Sequence, residues 1–302
     1  MENYLVGSIL KENRIRLKIS QEELCFDLCA VSTLSRIESG AQVPGRKLVE
    51  ALFSRMSMNP PASSIPMSKT DFKHENLEYK INDMIATGKV EIADLLEEYK
   101  NCGSELSPLE NQFYLFYKAL SEDTLHHDGK TALEKYEEAL RISIKDYELG
   151  KLPNVRFLTR TELLILNNIS RTLYFIEKKN EAIELMEFLR TYFENGIVSE
   201  EEKAKNYPVI LLNLENWYGN ANEDEKVIVL CEKGIDVCIQ YGKLTSFPYQ
   251  IFNRGCSLVK LGKVEEGKKC LSQAFIIIEA MKEFDNLNYG KNWVRENLHI
   301  QI

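Results

Sequence analysis

Apolar residues recur at every third or fourth position along nearly the whole chain, the period of a helix with one buried face. Beyond residue 70 the pattern predicts amphipathic helices near 72–87, 90–101, 108–121, 129–147, 156–177, 180–194, 200–218, 223–240, 246–261, 264–282 and 286–298, punctuated by Gly88, Gly103, Gly150, Gly196, Gly242 and Gly262. No segment reads as a convincing strand, so the predicted fold class is all-α. Four shorter helical patterns precede residue 57. The first, over 7–16, has Ile9, Leu10 and Ile15 as its apolar stripe; the second opens after Ser20 with Leu24 and Leu28 on one face; the third buries Leu34 and Ile37; the fourth runs over 45–55. Residues 57–68 carry three prolines and four serines, which disfavour a helix. The predicted organisation is an N-terminal bundle over 1–56, a linker over 57–70 and a helical array over 71–302.

The second and third patterns carry the sharpest local signal. Ser20 followed by Glu23 forms a capping box that fixes a helix start. The third helix buries Leu34 and Ile37 and leaves Ser32, Thr33, Ser35 and Arg36 on other faces, where hydroxyls and a guanidinium can meet base edges and phosphates. Gly40 ends that helix and Pro44 leads into the next. Two short helices around a tight turn make a DNA reader of the helix-turn-helix kind. Residues 5–55 resemble the lambda-repressor-type (Xre) helix-turn-helix domain, matching it at Ser20, Gln21, Leu24, Ser35, Ile37, Glu38, Gly40 and Pro44. The turn is one residue shorter than is usual there, with Cys29 near the place where many members carry glycine. The resemblance implies that Gln21 contacts a phosphate and that Ser32, Thr33, Ser35 and Arg36 face the major groove. The alternative is a plain helical bundle in which these polar positions are solvated or capping.

The array contains an internal repeat. Thr131 to Leu140, Glu181 to Leu189, Lys226 to Ile235 and Glu266 to Phe275 align as second helices of successive pairs at offsets of 50, 45 and 40 residues. Small residues recurring seven apart let each pack closely on its partner, as helix-pair solenoids require. The pattern resembles tetratricopeptide (TPR) repeats, with longer periods and degenerate signature positions. The same offsets place Asn168, Asn213 and Asn253 at equivalent positions of the first helices, with Lys118 earliest. First helices line the concave face of such an array, so a row of amides there can pair with the backbone of an extended peptide. Tyr114, Tyr117, Trp217 and Tyr249 flank the row and are candidates for holding side chains. A second reading stays open, in which each asparagine satisfies backbone groups or is simply tolerated in a helix.

Charge confines any nucleic-acid contact to the N-terminus. Residues 1–56 hold eight Lys or Arg against seven Asp or Glu, while the remainder holds 30 against 39. A nearly neutral head predicts two copies on a palindrome rather than a broad basic surface. The seven cysteines are odd in number and sit in apolar helical patterns, so reduced thiols are expected, with no disulfide framework. Cys25 and Cys29 share a predicted helix face but have no histidine nearby, and His126-His127 reads as a solvated connection, so no metal is expected. No charged-then-apolar leader and no long apolar run is present, which predicts a cytoplasmic protein without membrane contact. No phosphate loop, nucleophile elbow, paired metal ligands or histidine-carboxylate arrangement is found, so neither an enzyme nor a cofactor is expected.

The pairing of such a head with a degenerate repeat array resembles the peptide-pheromone-sensing regulators, the Rgg/PlcR/PrgX (RRNPP) family. The resemblance implies a homodimeric transcriptional regulator whose concave asparagines bind the backbone of a short signalling peptide. Asn168 and Asn213 fall where that pattern places them, while Asn253 and Lys118 rest on the internal register of this chain. The alternative partner for the array is a protein, with the chain acting as an adaptor.

Overall fold

The computed structural model describes residues 3–61, 65, 67–89, 91–103, 105–126 and 128–302. These residues form fifteen α-helices and no strand, and the chain divides into two compact units, Met1–Val198 and Ser199–Ile302.

The first unit begins with α1 (Asn3–Arg16), α2 (Gln21–Cys25), α3 (Val31–Glu38) and α4 (Arg46–Arg55). They enclose a core that includes Val6, Leu10, Leu24, Leu34, Ile37, Leu52 and Phe53. The Ser20 capping box is present: the Ser20 hydroxyl accepts from the Glu23 amide, and the Glu23 carboxylate accepts from the Ser20 amide at 2.8 Å. Gly40 takes φ 75° and lets the Ala41 amide reach back to the Arg36 carbonyl at 2.8 Å, closing α3.

The second predicted helix ends earlier than its apolar pattern suggests. Leu28 and Cys29 lie in the turn beyond α2, so Cys25 and Cys29 do not share a helix face. The cause is a guanidinium. Arg55 Nη1 donates to the carbonyls of Leu24 (3.3 Å) and Phe26, which a longer helix would have kept, and Asp27 then takes the left-handed φ of 55°.

The unit continues with α5 (Lys69–Ala86), α6 (Ala93–Lys100), α7 (Pro108–His126), α8 (Gly129–Arg141), α9 (Arg160–Phe175) and α10 (Lys179–Asn195). Capping boxes at Ser68 and Thr159 set the starts of α5 and α9. The segment predicted over 129–147 stops at Arg141 because the Gln112 amide takes the Ala139 carbonyl (2.9 Å) and the Ser143 hydroxyl (2.7 Å). In the predicted linker, Ser57 donates its hydroxyl to the Ile197 carbonyl at 2.6 Å, whereas residues 62–64 and 66 lie outside the described residues. Of the His126-His127 pair, His127 also lies outside them, and α7 runs to His126.

The second unit comprises α11 (Glu200–Asn220), α12 (Asp224–Tyr241), α13 (Phe247–Lys260), α14 (Val264–Ala280) and α15 (Phe284–Asn297). As the repeat register predicts, α7 packs on α8, α9 on α10, α11 on α12 and α13 on α14. The small residues of the second helices are buried at these crossings: Ala132, Ala139, Ala182 and Ala274 have no exposed surface. Gly234 shows the reason at one of them, since a Cβ there would stand 2.4 Å from the amide nitrogen of the fully buried Gln250. That amide donates to the Pro208 carbonyl of α11 at 3.2 Å and accepts from the Cys238 thiol of α12. First helices also touch one another within each unit, α7 with α9 and α11 with α13. The layer whose members lie closest together is the inner side of a curved stack, so the first helices face inward in each unit. All seven cysteines are free thiols.

Candidate functional site

The head presents α3 as its exposed element. Leu34 and Ile37 anchor it in the core, while Ser32, Ser35 and Arg36 stand in solvent and Thr33 is half-buried. Its N-cap, Ala30, supplies no side-chain acceptor, so the Val31 and Ser32 amides at the start of α3 remain available to an outside group, while the Thr33 amide donates to the Ala30 carbonyl. Glu38 holds the N-terminal helices together. Its buried carboxylate takes a bidentate pair from Arg14 of α1 (2.6 and 2.8 Å) and a hydrogen bond from the Gln21 amide of α2 (2.7 Å), so one side chain ties three helices. The hydrogen bond and charge of Glu38 raise the Arg14 guanidinium above its ordinary value. Gln21, expected at a phosphate, therefore already has a partner in Glu38. It lines a depression of about 600 Å³ with Lys11, Ser35 and Ser39. Sequence reasoning matched Glu38 as a motif residue but assigned it no role.

Buried ion pairs join the head to the first helices of the array. Arg55, 1% exposed, extends from the end of α4 to Glu162, 0% exposed, at 3.2 Å and to the Ser143 carbonyl at 3.4 Å. Arg46 and Lys47 of α4 both pair with Glu78 of α5, at 2.7 and 2.8 Å, and the Tyr99 hydroxyl donates to the same carboxylate. Burial pushes the Glu78 carboxyl up, but the neighbouring Lys47 and Arg46 cations prevail and hold it below its usual value. Neither cluster was singled out in the sequence. The signal available for Glu162 was the Thr159-x-x-Glu162 capping box.

The predicted peptide-site residues occupy different settings. Tyr114 of α7 turns to α6, with its hydroxyl on Glu97 (3.2 Å), and the Lys118 ammonium lies 5.6 Å from the Tyr114 ring centre. The Tyr117 hydroxyl meets Asn82. Asn168 is buried, and its amide returns to its own helix at the Leu164 carbonyl (2.8 Å). In the second unit the Asn213 amide nitrogen is buried without a hydrogen-bond partner. Asn253 donates to Glu215 (3.2 Å) and Asn216 (3.0 Å) of α11 rather than reaching Asn213, so the row there is stepped. Trp217 is buried, and the half-buried Tyr249 bonds Glu283 and Asn286.

Asn253 leads to a residue that sequence reasoning missed. Glu215, 1% exposed, borders a cavity of about 290 Å³ with Asn216, Phe252, Asn253, Lys260 and Trp293. Burial pushes its carboxyl up to about 7 against the counteracting hydrogen bond from Asn253. The only sequence signal was a carboxylate set among apolar neighbours, Leu214 and Trp217.

No helix among the described residues is long and apolar enough to cross a membrane. No family model matches the chain, and no curated protein sequence matches it. Solved structures share its fold. PlcR of Bacillus thuringiensis in its apo form superposes with a TM-score of 0.58 at 16% identity, covering 96% of this chain and 98% of that one. PlcR in complex with the peptide PapR7 and DNA gives 0.56 at 19% identity, over 95% of this chain and 99% of that one. Aspartyl phosphate phosphatase F from Bacillus subtilis gives 0.52 at 14% identity, over 94% of this chain and 67% of that one. The likeness is one of fold: an all-helical chain with TPR-like helix pairs.

Proposed function

We propose that the chain is a sequence-specific DNA-binding transcriptional regulator whose helical array binds a short signalling peptide. The observation that carries this reading is α3: an amphipathic helix pinned by Leu34, Ile37 and Glu38, with Ser32, Ser35 and Arg36 free of the core. Residues 1–56 form the reading head, 57–70 the connection and 71–302 the array. The structural likeness to PlcR, which has been solved with both a peptide and DNA, supports the same division of labour.

On this reading Arg36, Ser32, Thr33 and Ser35 meet base edges and phosphates, and Gln21 orients the head beside a phosphate. The near-neutral head acts as a homodimer on a palindromic site, with half-sites about 34 Å or a multiple apart. Asn168 on the inner layer of the first unit, and Asn213 and Asn253 on that of the second, are the amides that meet a peptide backbone. The unpartnered Asn213 amide supports this, because a buried donor without an acceptor is costly unless a ligand provides one. Lys118, Tyr114, Trp217 and Tyr249 flank the groove. The coupling element is α9, which bears both Asn168 on the inner layer and Glu162 on Arg55 of the head. A peptide shifts DNA affinity only as far as it prefers one setting of that helix over another.

Selection of bound duplexes from a random DNA pool tests the reading, with Arg36→Ala run in parallel. An enriched two-fold site that the variant fails to enrich is the expected result. Equal enrichment by both proteins refutes the assignment of α3.

A further inference from the structure

The second unit holds a buried carboxyl that its own fold leaves incompletely matched. Glu215 Oε2 accepts from the Asn253 amide at 3.2 Å, and Oε1 has no hydrogen-bond partner. The Cys231 thiol, a weak donor, lies against the same carboxyl. Among the described residues no Lys or Arg pairs with it, and Lys260 on the cavity wall is engaged by the Gly219 carbonyl (3.1 Å) and Asp224 (3.7 Å). Glu38, Glu78 and Glu162, which are also buried, each have a guanidinium. The space beside Glu215, about 290 Å³, suits one long side chain rather than a whole peptide, and the rings of Phe252 and Trp293 form part of its wall.

We propose that this cavity takes a cationic group of the bound peptide, an ammonium or guanidinium on an aliphatic stem, which donates to Glu215 Oε1 while the stem lies against Phe252 and Trp293. The inference rests on the reading of the array as a peptide site and adds to it the chemical class of one ligand group. A charge-assisted bond to a desolvated carboxylate is strong, and a neutral group of the same shape forfeits it. Burial pushes the carboxyl up to about 7, so at neutral pH an arriving cation displaces protons from the protonated fraction to solvent. The other titratable groups around it are Asp224, Cys231 and Cys238 on α12, Arg254, Cys256 and Lys260 on α13 and the largely exposed Tyr289 on α15. Burial raises all three thiols, Cys238 to about 11 and Cys256 to about 12, and Cys231 is pushed up as well, so none ionises in this range.

The test offers the full chain and its Glu215→Gln variant two random heptapeptide pools, one with free and one with acetylated N-termini, and identifies retained peptides by mass spectrometry. The wild-type chain is expected to retain Lys- or Arg-bearing peptides of the acetylated pool over those lacking both at odds at least tenfold above the pool's own, or else to retain free-terminus peptides at least tenfold more than acetylated ones, and Glu215→Gln to show neither bias. A bias that survives acetylation assigns the cation to a Lys or Arg side chain; loss of retention on acetylation assigns it to the terminal ammonium. Retained peptides without cation preference, or a preference unchanged in Glu215→Gln, overturn the proposal. Retention of no peptide at all refutes the peptide reading itself, and this inference with it. A measurement on the wild-type chain alone guards against a variant that fails to fold. Calorimetric titration of a retained peptide at pH 7 in two buffers of different ionisation enthalpy should show proton release, and its absence overturns the proposal.

Discussion

The junction of the first unit and the cavity of the second place buried carboxylates in opposite circumstances. At the junction, Glu162 and Glu78 lie out of water but against Arg55, Arg46 and Lys47, so charge meets charge and the head is fixed on α5 and α9. In the cavity, Glu215 is as deeply buried and has only the Asn253 amide and a thiol. A paired buried carboxylate is a structural tie, whose loss destabilises the fold. An unpaired one beside open volume is an acceptor waiting for a donor from outside.

Breaking the tie should have the largest effect. Arg55→Met leaves Glu162 as a buried charge without its cation and strips the donor from the Leu24 and Phe26 carbonyls. A loss of about 3–5 kcal/mol is expected in urea unfolding; a loss below about 1 kcal/mol would show that the pair does not fix the head. The cavity carboxyl should behave in the opposite sense. Its folded-state pKa of about 7 stands above the ordinary 4.5, so between those values the folded chain holds more protons than the unfolded one. The stability it contributes is full at low pH and is lost as pH rises through about 7. Glu215→Gln should therefore match the wild-type chain near pH 4 and exceed it by about 3 kcal/mol at pH 8. Parallel pH profiles of melting temperature would contradict the unpaired state. The smallest effect is expected at an exposed pair. Arg156 with Glu23 also links the array to the head, but the arginine is 67% exposed, and Arg156→Ala should cost less than about 0.5 kcal/mol in the same urea assay.

Helix positions were largely legible in the sequence because apolar periodicity and caps are local. Ser20, Thr159 and Ser199 each cap a helix from its own next turn, and Glu200, Glu201 and Glu202 begin α11 as acidic first-turn residues should. What escaped local pattern was settled by side chains arriving from far along the chain. Arg55 cut α2 short from 31 and 29 residues away, and Gln112 ended α8 from 27. The candidate site divides in the same way. The exposed face of α3 follows from a helical wheel and was read directly. The surroundings of Asn253 were not, because register along a sequence does not specify which turn of the neighbouring helix a side chain meets. Glu215 was invisible for the same reason: its significance is the absence of a partner, and only packing shows that.

The central claim is that one chain couples a DNA reader to a peptide-binding array. The most direct measurement is the affinity of the full chain for its selected duplex, by fluorescence anisotropy, with and without saturating peptide recovered from the random pools. The account predicts a shift of roughly 5- to 150-fold, removed by Asn213→Ala. An affinity unchanged by a peptide that demonstrably binds would contradict it.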